Sequence, residues 1–172
     1  ICPKHKMSEI DYISKLMFAA VENQSVRQLR NIISDNYSNV RHACINKQNG
    51  DGNTVLMLAA QYSTNIEIIQ YLCNTIDTID INKHNNDGNT AFMLAALHNT
   101  NIEVIQCLCD EFKYGININK QNNDGNTAFM LALHNTNIEV IQYLCDEFKF
   151  ETDINKQNND GNTILMLLAQ YN

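Results

Sequence analysis

The chain is poor in basic residues and in long apolar runs, and each shortage removes a class of function. Only 12 of its 172 residues are Lys or Arg against 19 Asp or Glu, so the net charge is −7. Nucleic acids and anionic membrane surfaces attract clustered basic side chains, and neither partner is predicted. No apolar run approaches the ~18 residues of a membrane span, so we expect no membrane insertion.

Glycine is also scarce, and the six glycines stand singly. A phosphate-binding loop needs several glycines close together, so no such loop is expected. No Ser–His–acid set is evident, and the Glu that recurs at Glu67, Glu103 and Glu139 suits the positive end of a helix. The chain is therefore predicted to be no enzyme and to carry no cofactor.

What the chain does have is repetition. The phrase Asp-Gly-Asn-Thr occurs four times, and its copies start 36, 37 and 36 residues apart. A fixed period of this size predicts a stack of small units rather than one globular core. A stack has a long continuous surface, which favours recognition of another macromolecule.

One unit of the repeat reads as a turn followed by two helices. Residues 85–89 are a turn signal in which Gly88 supplies a positive φ angle. Thr90 precedes the apolar run 91–97, as a helix N-cap does, and Asn101 can cap a second helix. Neither helix can bury its apolar face alone, so stacking of the copies is expected to complete the core.

This unit resembles the ankyrin repeat at individual positions. The family's Gly-x-Thr stands at residues 88–90, its Ala-Ala at 95–96, its Val-Val-x-x-Leu-Leu at 104–109 and its Asp/Asn-Val-Asn at 117–119. The Pro and His of its Thr-Pro-Leu-His are replaced in every copy. The resemblance covers about residues 12–172. It implies an all-α solenoid of helix–loop–helix repeats with β-turn or hairpin fingertips.

The repeat predicts the domain organisation. An N-terminal capping repeat with a leader is expected at residues 1–46 and ankyrin repeats at 47–172. Because the last copy is only half a unit, we expect the natural protein to continue. Residues 110–117 are expected to form a loop. The predicted copies are three full ones at about 47–82, 83–119 and 120–155, and a partial one at 156–172.

By this resemblance, the chain is expected to be a monomeric, non-catalytic protein–protein interaction module. Ankyrin repeats bind proteins through their fingertip turns and inner helix faces, which line a concave groove. The ends of the first helices differ between copies and are expected to lie side by side. His84 stands where other copies have Gln. The predicted partner-binding residues are Tyr62, Leu97, His98, Leu133, His134, Tyr171, His84, Asn53, Asn89 and Asn126.

The fingertips also have an interpretation without a partner. Each tip carries one Lys and one Asp, two ladders whose charges are expected to cancel. Asn makes up 27 of the 172 residues, mostly in these turns. A row of side-chain hydrogen bonds between neighbouring tips would account for this composition.

Aromatic side chains follow the second helices in pairs, Phe112 with Tyr114 and Phe148 with Phe150. One member of each pair is expected to fasten the long loop to its helix. The alternative is a second binding patch on the back of the stack.

The cysteines predict a reducing compartment, the cytoplasm. Cys73, Cys109 and Cys145 occupy equivalent repeat positions, about 10 Å apart if helices pack side by side, which is too far for a disulfide. They are expected to be small buried side chains.

Two further pairs, Cys2 with His5 and His42 with Cys44, would supply the ligands of a zinc site. Neither spacing is a strong signature, so no metal site is predicted.

Two other functions remain open at this stage. The segment could recruit substrates for a larger enzyme, or it could be a structural spacer. The Asn-rich composition is typical of AT-rich codon usage. In that respect the chain resembles ankyrin-repeat proteins of intracellular bacteria, amoebal viruses and protists, which would make it part of a host-directed effector acting in the host cytoplasm.

Overall fold

The computed structural model describes residues 8–35, 43–75, 79–112 and 115–170. Within these residues every regular element is a helix, and no strand occurs. The helices are α1 (Glu9–Glu22), α2 (Val26–Ser34), α3 (Val55–Tyr62), α4 (Ile66–Thr75), α5 (Ala91–His98), α6 (Ile102–Phe112), α7 (Ala128–Ala132), α8 (Ile138–Glu147) and α9 (Ile164–Gln170).

The helices form units that stack in one direction. The cap consists of α1 and α2, the first unit of α3 and α4, the second of α5 and α6, and the third of α7 and α8, while α9 belongs to the fourth. The first helices of successive units pack on one another, from α1 through α3, α5 and α7 to α9. The second helices α2, α4, α6 and α8 form a parallel row. The all-α stack predicted from the sequence is confirmed.

The first helices α3, α5 and α7 are short and apolar on nearly all sides. Residues 91–96 of α5 are all buried, because neighbouring first helices lie on two sides and the second helix on a third. Ala95 and Ala96 in α5, and Ala59 and Ala60 in α3, are fully buried. Their small side chains let the helix backbones approach closely, which buries the apolar surface that holds the units together.

Polar side chains begin the helices as predicted. The Thr90 hydroxyl accepts a hydrogen bond from the Met93 N–H at 3.3 Å, and Asn101 Oδ1 accepts one from the Glu103 N–H at 3.0 Å. These bonds satisfy backbone donors that have no partner inside a helix. The prediction that a loop starts at residue 110 was wrong, because α6 continues to Phe112. Phe112 packs against the core.

A tight turn, here called a tip, precedes each of α3, α5, α7 and α9. In the second unit the Gly88 N–H donates to the Asn85 carbonyl at 3.0 Å, and the Asn85 N–H donates to the Asn89 carbonyl at 2.9 Å. Gly88 has φ +81°, which L side chains rarely adopt. The tips are residues 49–53, 85–89, 122–126 and 158–162.

Asparagine side chains join each tip to the next. Asn85 Nδ2 donates to Asn53 Oδ1 and Asn122 Nδ2 donates to Asn89 Oδ1, both at 2.9 Å, and the next pair repeats the bond. Asn85 Oδ1 meanwhile accepts from the N–H groups of Asp87 and Asn89 in its own turn. One side chain therefore shapes its tip and fixes the neighbouring tip against it.

A second set of asparagine bonds joins the ends of the first helices. Asn99 Nδ2 donates to the carbonyls of Ala60 and Ser63 at 2.9 and 3.0 Å. Asn135 Nδ2 makes the same two bonds one unit further on. The asparagine-rich composition is thus explained by amide bonds that cross between units.

Replacing Gly88 with Ala tests how closely the tips pack. A Cβ there would lie 2.5 Å from Asn123 Oδ1 and 2.6 Å from its backbone N. We expect the free energy of unfolding to fall by about 1–2 kcal/mol from the left-handed backbone and by about 2 kcal/mol more from this overlap. Gly161→Ala is the matched control, with φ +78° and no atom within 4 Å of its Cβ. Urea titration measures both variants, and equal losses would contradict the close packing.

Asn85→Ala tests the bond between tips. The change removes one inter-unit donor and an acceptor for two backbone N–H groups, so we expect a loss of about 3 kcal/mol in the free energy of unfolding. The neighbouring Asn86→Ala removes one exposed bond to the Gly50 carbonyl and should cost about 0.5–1 kcal/mol. Chemical denaturation followed by circular dichroism measures the difference. A smaller loss for Asn85→Ala than for Asn86→Ala would show that the ladder contributes little.

Candidate partner-binding groove

One groove of about 640 Å³ runs between the tips and the first helices of the first three units. The tips form one side, and the exposed ends of α3 and α5 form the other. The groove is lined by Asp51, Asn53, Gln61, Tyr62, Asn85, Asn86, Asp87, Asn89, Leu94, Leu97, His98, Asn122, Asn123, Asp124 and Leu131.

Three of the predicted partner-binding residues share one wall of this groove. Tyr62 ends α3 with 62% of its surface exposed, while Leu97 and His98 end α5, half-buried and exposed respectively. They lie together because α3 and α5 have the same length of eight residues and follow the same kind of cap. The expectation that these helix ends lie side by side is confirmed for them.

The same expectation was wrong for Leu133 and His134. The third unit lacks one residue within its first helix, so α7 ends at Ala132 and Leu133 takes the buried position that Ala96 holds in α5. Leu133 is only 9% exposed, and neither residue lines the groove. Removal of one residue inside a helix turns the later side chains of that helix to a different face. Removal of one residue from a loop would leave the faces of the helix unchanged.

The remaining predicted residues are dispersed. His84 is exposed but lies outside the groove lining, with its Nδ1 3.3 Å from the Asn85 carbonyl oxygen. Asn126 is half-buried and accepts a hydrogen bond from Asn158 at 3.0 Å, also outside the lining. Tyr171 lies outside the described residues.

Asn53 and Asn89 belong to the groove and to the ladder between tips at once. They are 9% and 8% exposed, and each accepts a bond through Oδ1 from the next tip. Their Nδ2 groups donate no hydrogen bond to any residue in the described ranges. Each buried amide therefore has a donor at the side of the groove that no described residue accepts.

The Lys and Asp ladders are equal in number, but the structure places their side chains differently. Each lysine reaches back toward the preceding unit: Lys83 Nζ donates to the Asn46 carbonyl at 2.7 Å, and Lys120 Nζ donates to the Asn82 carbonyl at 2.5 Å. Lys47 pairs with Asp11 of the cap. The lysines are held away from the groove because their long side chains satisfy carbonyls between units, and none lines it.

The tip aspartates Asp51, Asp87 and Asp124 line the groove instead. Their carboxylates take part in no hydrogen bond or ion pair with any residue that the structure describes. The sequence analysis did not predict that these aspartates line the groove. An Asp at the same position of every tip was the pattern that could have indicated it. The groove thus carries three carboxylates and no Lys or Arg.

His98 adds an imidazole to this acidic lining. Burial lowers the pKa of His98 below its ordinary value of 6.5, because the charged form loses contact with water. The side chain is therefore neutral at pH 7 and presents an apolar ring with a polar edge.

The aromatic pairs after the second helices divide as expected where both members are described. Phe148 is buried and meets Phe92 edge-on, with 5.8 Å between ring centroids. Phe150 is 88% exposed, and the Lys149 Nζ lies 4.9 Å from its ring centroid. Phe112 is half-buried against the core, while residue 114 lies outside the described residues.

The equivalent cysteines are less uniform than predicted. Cys109 is buried and Cys73 is half-buried, but Cys145 is exposed because no second helix after α8 is described to cover it. Burial raises the pKa of Cys73 far above its ordinary range and that of Cys107 to about 11. At pH 7 both are therefore unreactive thiols.

No metal centre or membrane helix emerges from the described residues. Cys44 is buried with its Sγ 3.6 Å from the Ile10 carbonyl, whereas Cys2, His5 and His42 lie outside the described ranges. Across those ranges no three His, Cys, Asp or Glu side chains are placed to share a metal ion. None of the described helices has the length and apolar character to cross a membrane.

Comparison with known proteins agrees with this architecture. The profile of one protein family, described as ankyrin repeats (3 copies), matches residues 16–122 and 111–172. No curated protein matches the chain significantly. Ankyrin repeats are in general protein–protein interaction modules and are typically non-catalytic.

The pKa of His98 gives a direct test of the groove wall. A ¹H–¹³C NMR titration of the imidazole should give a midpoint below 6.5, because burial disfavours the charged ring. The unfolded chain then takes up a proton at higher pH than the folded chain, so stability should fall as pH drops below about 6.5 and be fully retained above it. His98→Gln should reduce this dependence. A midpoint at or above 6.5 would show that the ring is not desolvated at the groove wall.

Proposed function

The chain belongs to the ankyrin-repeat family, and from that premise we propose that it binds a protein partner along the groove without catalysing a reaction. The observation that carries the proposal is the exposed wall formed by Tyr62, Leu97 and His98. These positions differ between units, whereas the residues that shape the tips and the helix N-caps are repeated. The repeated residues are explained by the stack, and the variable exposed ones are available to a partner.

The chemistry of the wall suits a protein surface. Tyr62 combines a large exposed ring with a phenolic hydroxyl, and neutral His98 beside it offers a second flat ring. Aromatic side chains of this kind are enriched among residues that dominate binding energy at protein interfaces. Leu94 and Leu97 add apolar surface to the lining of the groove.

The composition of the groove favours a polar macromolecule over a small apolar ligand. Nine of its fifteen lining residues are Asn or Asp. Pockets that bind small molecules are usually lined mainly by apolar and aromatic side chains, with few polar groups. The long polar lining of this groove is instead suited to a partner that supplies many hydrogen bonds and charges along its length.

Truncation of the wall tests the proposal. The double variant Tyr62→Ala and His98→Ala should lose at least tenfold in affinity for a purified partner, because both exposed rings leave the interface. The partner can be obtained by crosslinking capture from eukaryotic lysate and then measured by isothermal titration calorimetry. Tyr62 and His98 are exposed, so the thermal midpoint of the double variant should stay close to that of the wild type.

Phe150→Ala is the matched control, since it removes an aromatic ring that is even more exposed than that of Tyr62 and lies far along the chain from the groove. It should leave the affinity within twofold of the wild type. Loss of binding by Phe150→Ala with retention by the double variant would move the interface to the loops after the second helices. Equal retention by both variants would also overturn the groove assignment.

A further inference from the structure

We propose that the groove takes an extended peptide segment that carries Lys or Arg at every third residue. The inference rests on the proposed function and adds the chemistry of the partner. It combines the groove's charge, its unpaired amide donors and its repeat spacing.

The charge of the groove has a single sign. Asp51, Asp87 and Asp124 face it without a described cation, and the nearby lysines are bound to carbonyls or to the cap. Acidic residues elsewhere on the chain do not weaken this field, because the net charge is −7. A segment with guanidinium or ammonium groups would neutralise the row and be drawn to it over a distance of about one Debye length, roughly 8 Å at physiological salt.

The amide donors point to a peptide backbone rather than to free cations. Asn53 and Asn89 are more than nine-tenths buried at the groove, and their Nδ2 groups lack a described acceptor. A buried donor without an acceptor is unfavourable unless water or a ligand satisfies it. Cations cannot accept these hydrogen bonds, but the backbone carbonyls of a peptide can, with one carbonyl for each unit crossed.

The spacing of the units selects the register of the basic residues. Helices packed side by side are separated by about 8–10 Å, so successive tip carboxylates recur at about that interval. A polyproline II segment has three residues per turn and rises about 3.1 Å per residue, so every third side chain lies on one face about 9.3 Å apart. Three basic side chains at that spacing meet three successive carboxylates.

The aromatic wall completes the arrangement. Guanidinium groups stack on aromatic faces, and Tyr62, on the wall opposite the tip aspartates, presents a ring that is 62% exposed. Leu97 and Leu94 can receive the apolar residues that alternate with the basic ones. The wall therefore favours Arg over Lys at the position nearest Tyr62.

The test uses a fluorescein-labelled peptide of four Arg-Pro-Pro triplets, measured by fluorescence anisotropy against the full 172-residue chain. Proline favours the required conformation, so this peptide should bind saturably and weaken as salt is raised. A peptide of the same composition with its four arginines adjacent should bind at least fivefold more weakly. A Glu-Pro-Pro peptide should not bind. Equal binding of the two arginine peptides would overturn the spacing argument.

Two variants of equal charge locate the interaction. One removes the three groove carboxylates, and we expect at least tenfold weaker binding of the Arg-Pro-Pro peptide. The other removes three exposed acidic residues of α6 and α8 and should stay within twofold of the wild type. The groove variant is Asp51→Ala, Asp87→Ala and Asp124→Ala, and its control is Asp110→Ala, Glu111→Ala and Asp146→Ala.

The groove aspartates make no described side-chain bond, so both variants should unfold at similar denaturant concentrations, which chemical denaturation checks. Equal losses of binding in the two variants would show a general charge effect and overturn the proposal. A displayed library of random peptides separates this inference from the proposed function. Selection of non-basic peptides that require Tyr62 would overturn the inference alone. Failure to select any peptide, together with a negative partner test, would overturn both.

Discussion

The hydrogen bond from one tip asparagine to the next sets the spacing on which the other parts of the stack depend. Asn85 and Asn122 each hold their own turn through Oδ1 and reach the preceding tip through Nδ2. Because the bond is short and directional, it fixes both the distance and the rotation between units. The close approach at Gly88 and the row of aspartates share this spacing, and the apolar packing of the first helices is in register with it.

The stacking of the units also places the positive and negative side chains of each repeat in different positions. Each repeat contributes one Asp in its tip and one Lys just before it, yet the two side chains serve different neighbours. The lysines Lys83 and Lys120 turn toward carbonyls of the preceding unit, where they help to join the units. The aspartates are left on the open side, so a nearly balanced repeat produces a groove of one sign. Small regular elements can thus generate a polarised surface without any change in overall charge.

The fold could be predicted from the sequence because its determinants are local and repeated: the caps, the apolar runs and the turn glycines recur in register. The groove wall was predicted where units have equal helix lengths, as for Tyr62 and His98. The prediction failed at Leu133, because the residue missing from the third unit falls inside α7 and shifts the buried face of that helix. The spacing of the repeats alone did not reveal this. The positions of the lysine side chains could not be predicted, because formal charge does not show which carbonyl a flexible side chain reaches.

The histidine at position 84 has a mechanical consequence. Gln48 Nε2 bridges the first and second tips through the Gly52 and His84 carbonyls, and Gln121 Nε2 bridges the third and fourth in the same way. Among the described residues, no such bridge from His84 joins the second tip to the third. Among the described bonds that join neighbouring tips, that step has one hydrogen bond fewer than the steps on either side, and it lies in the middle of the groove. A change in the curvature of the groove would therefore meet less resistance from the tips between the second and third units than between the first and second.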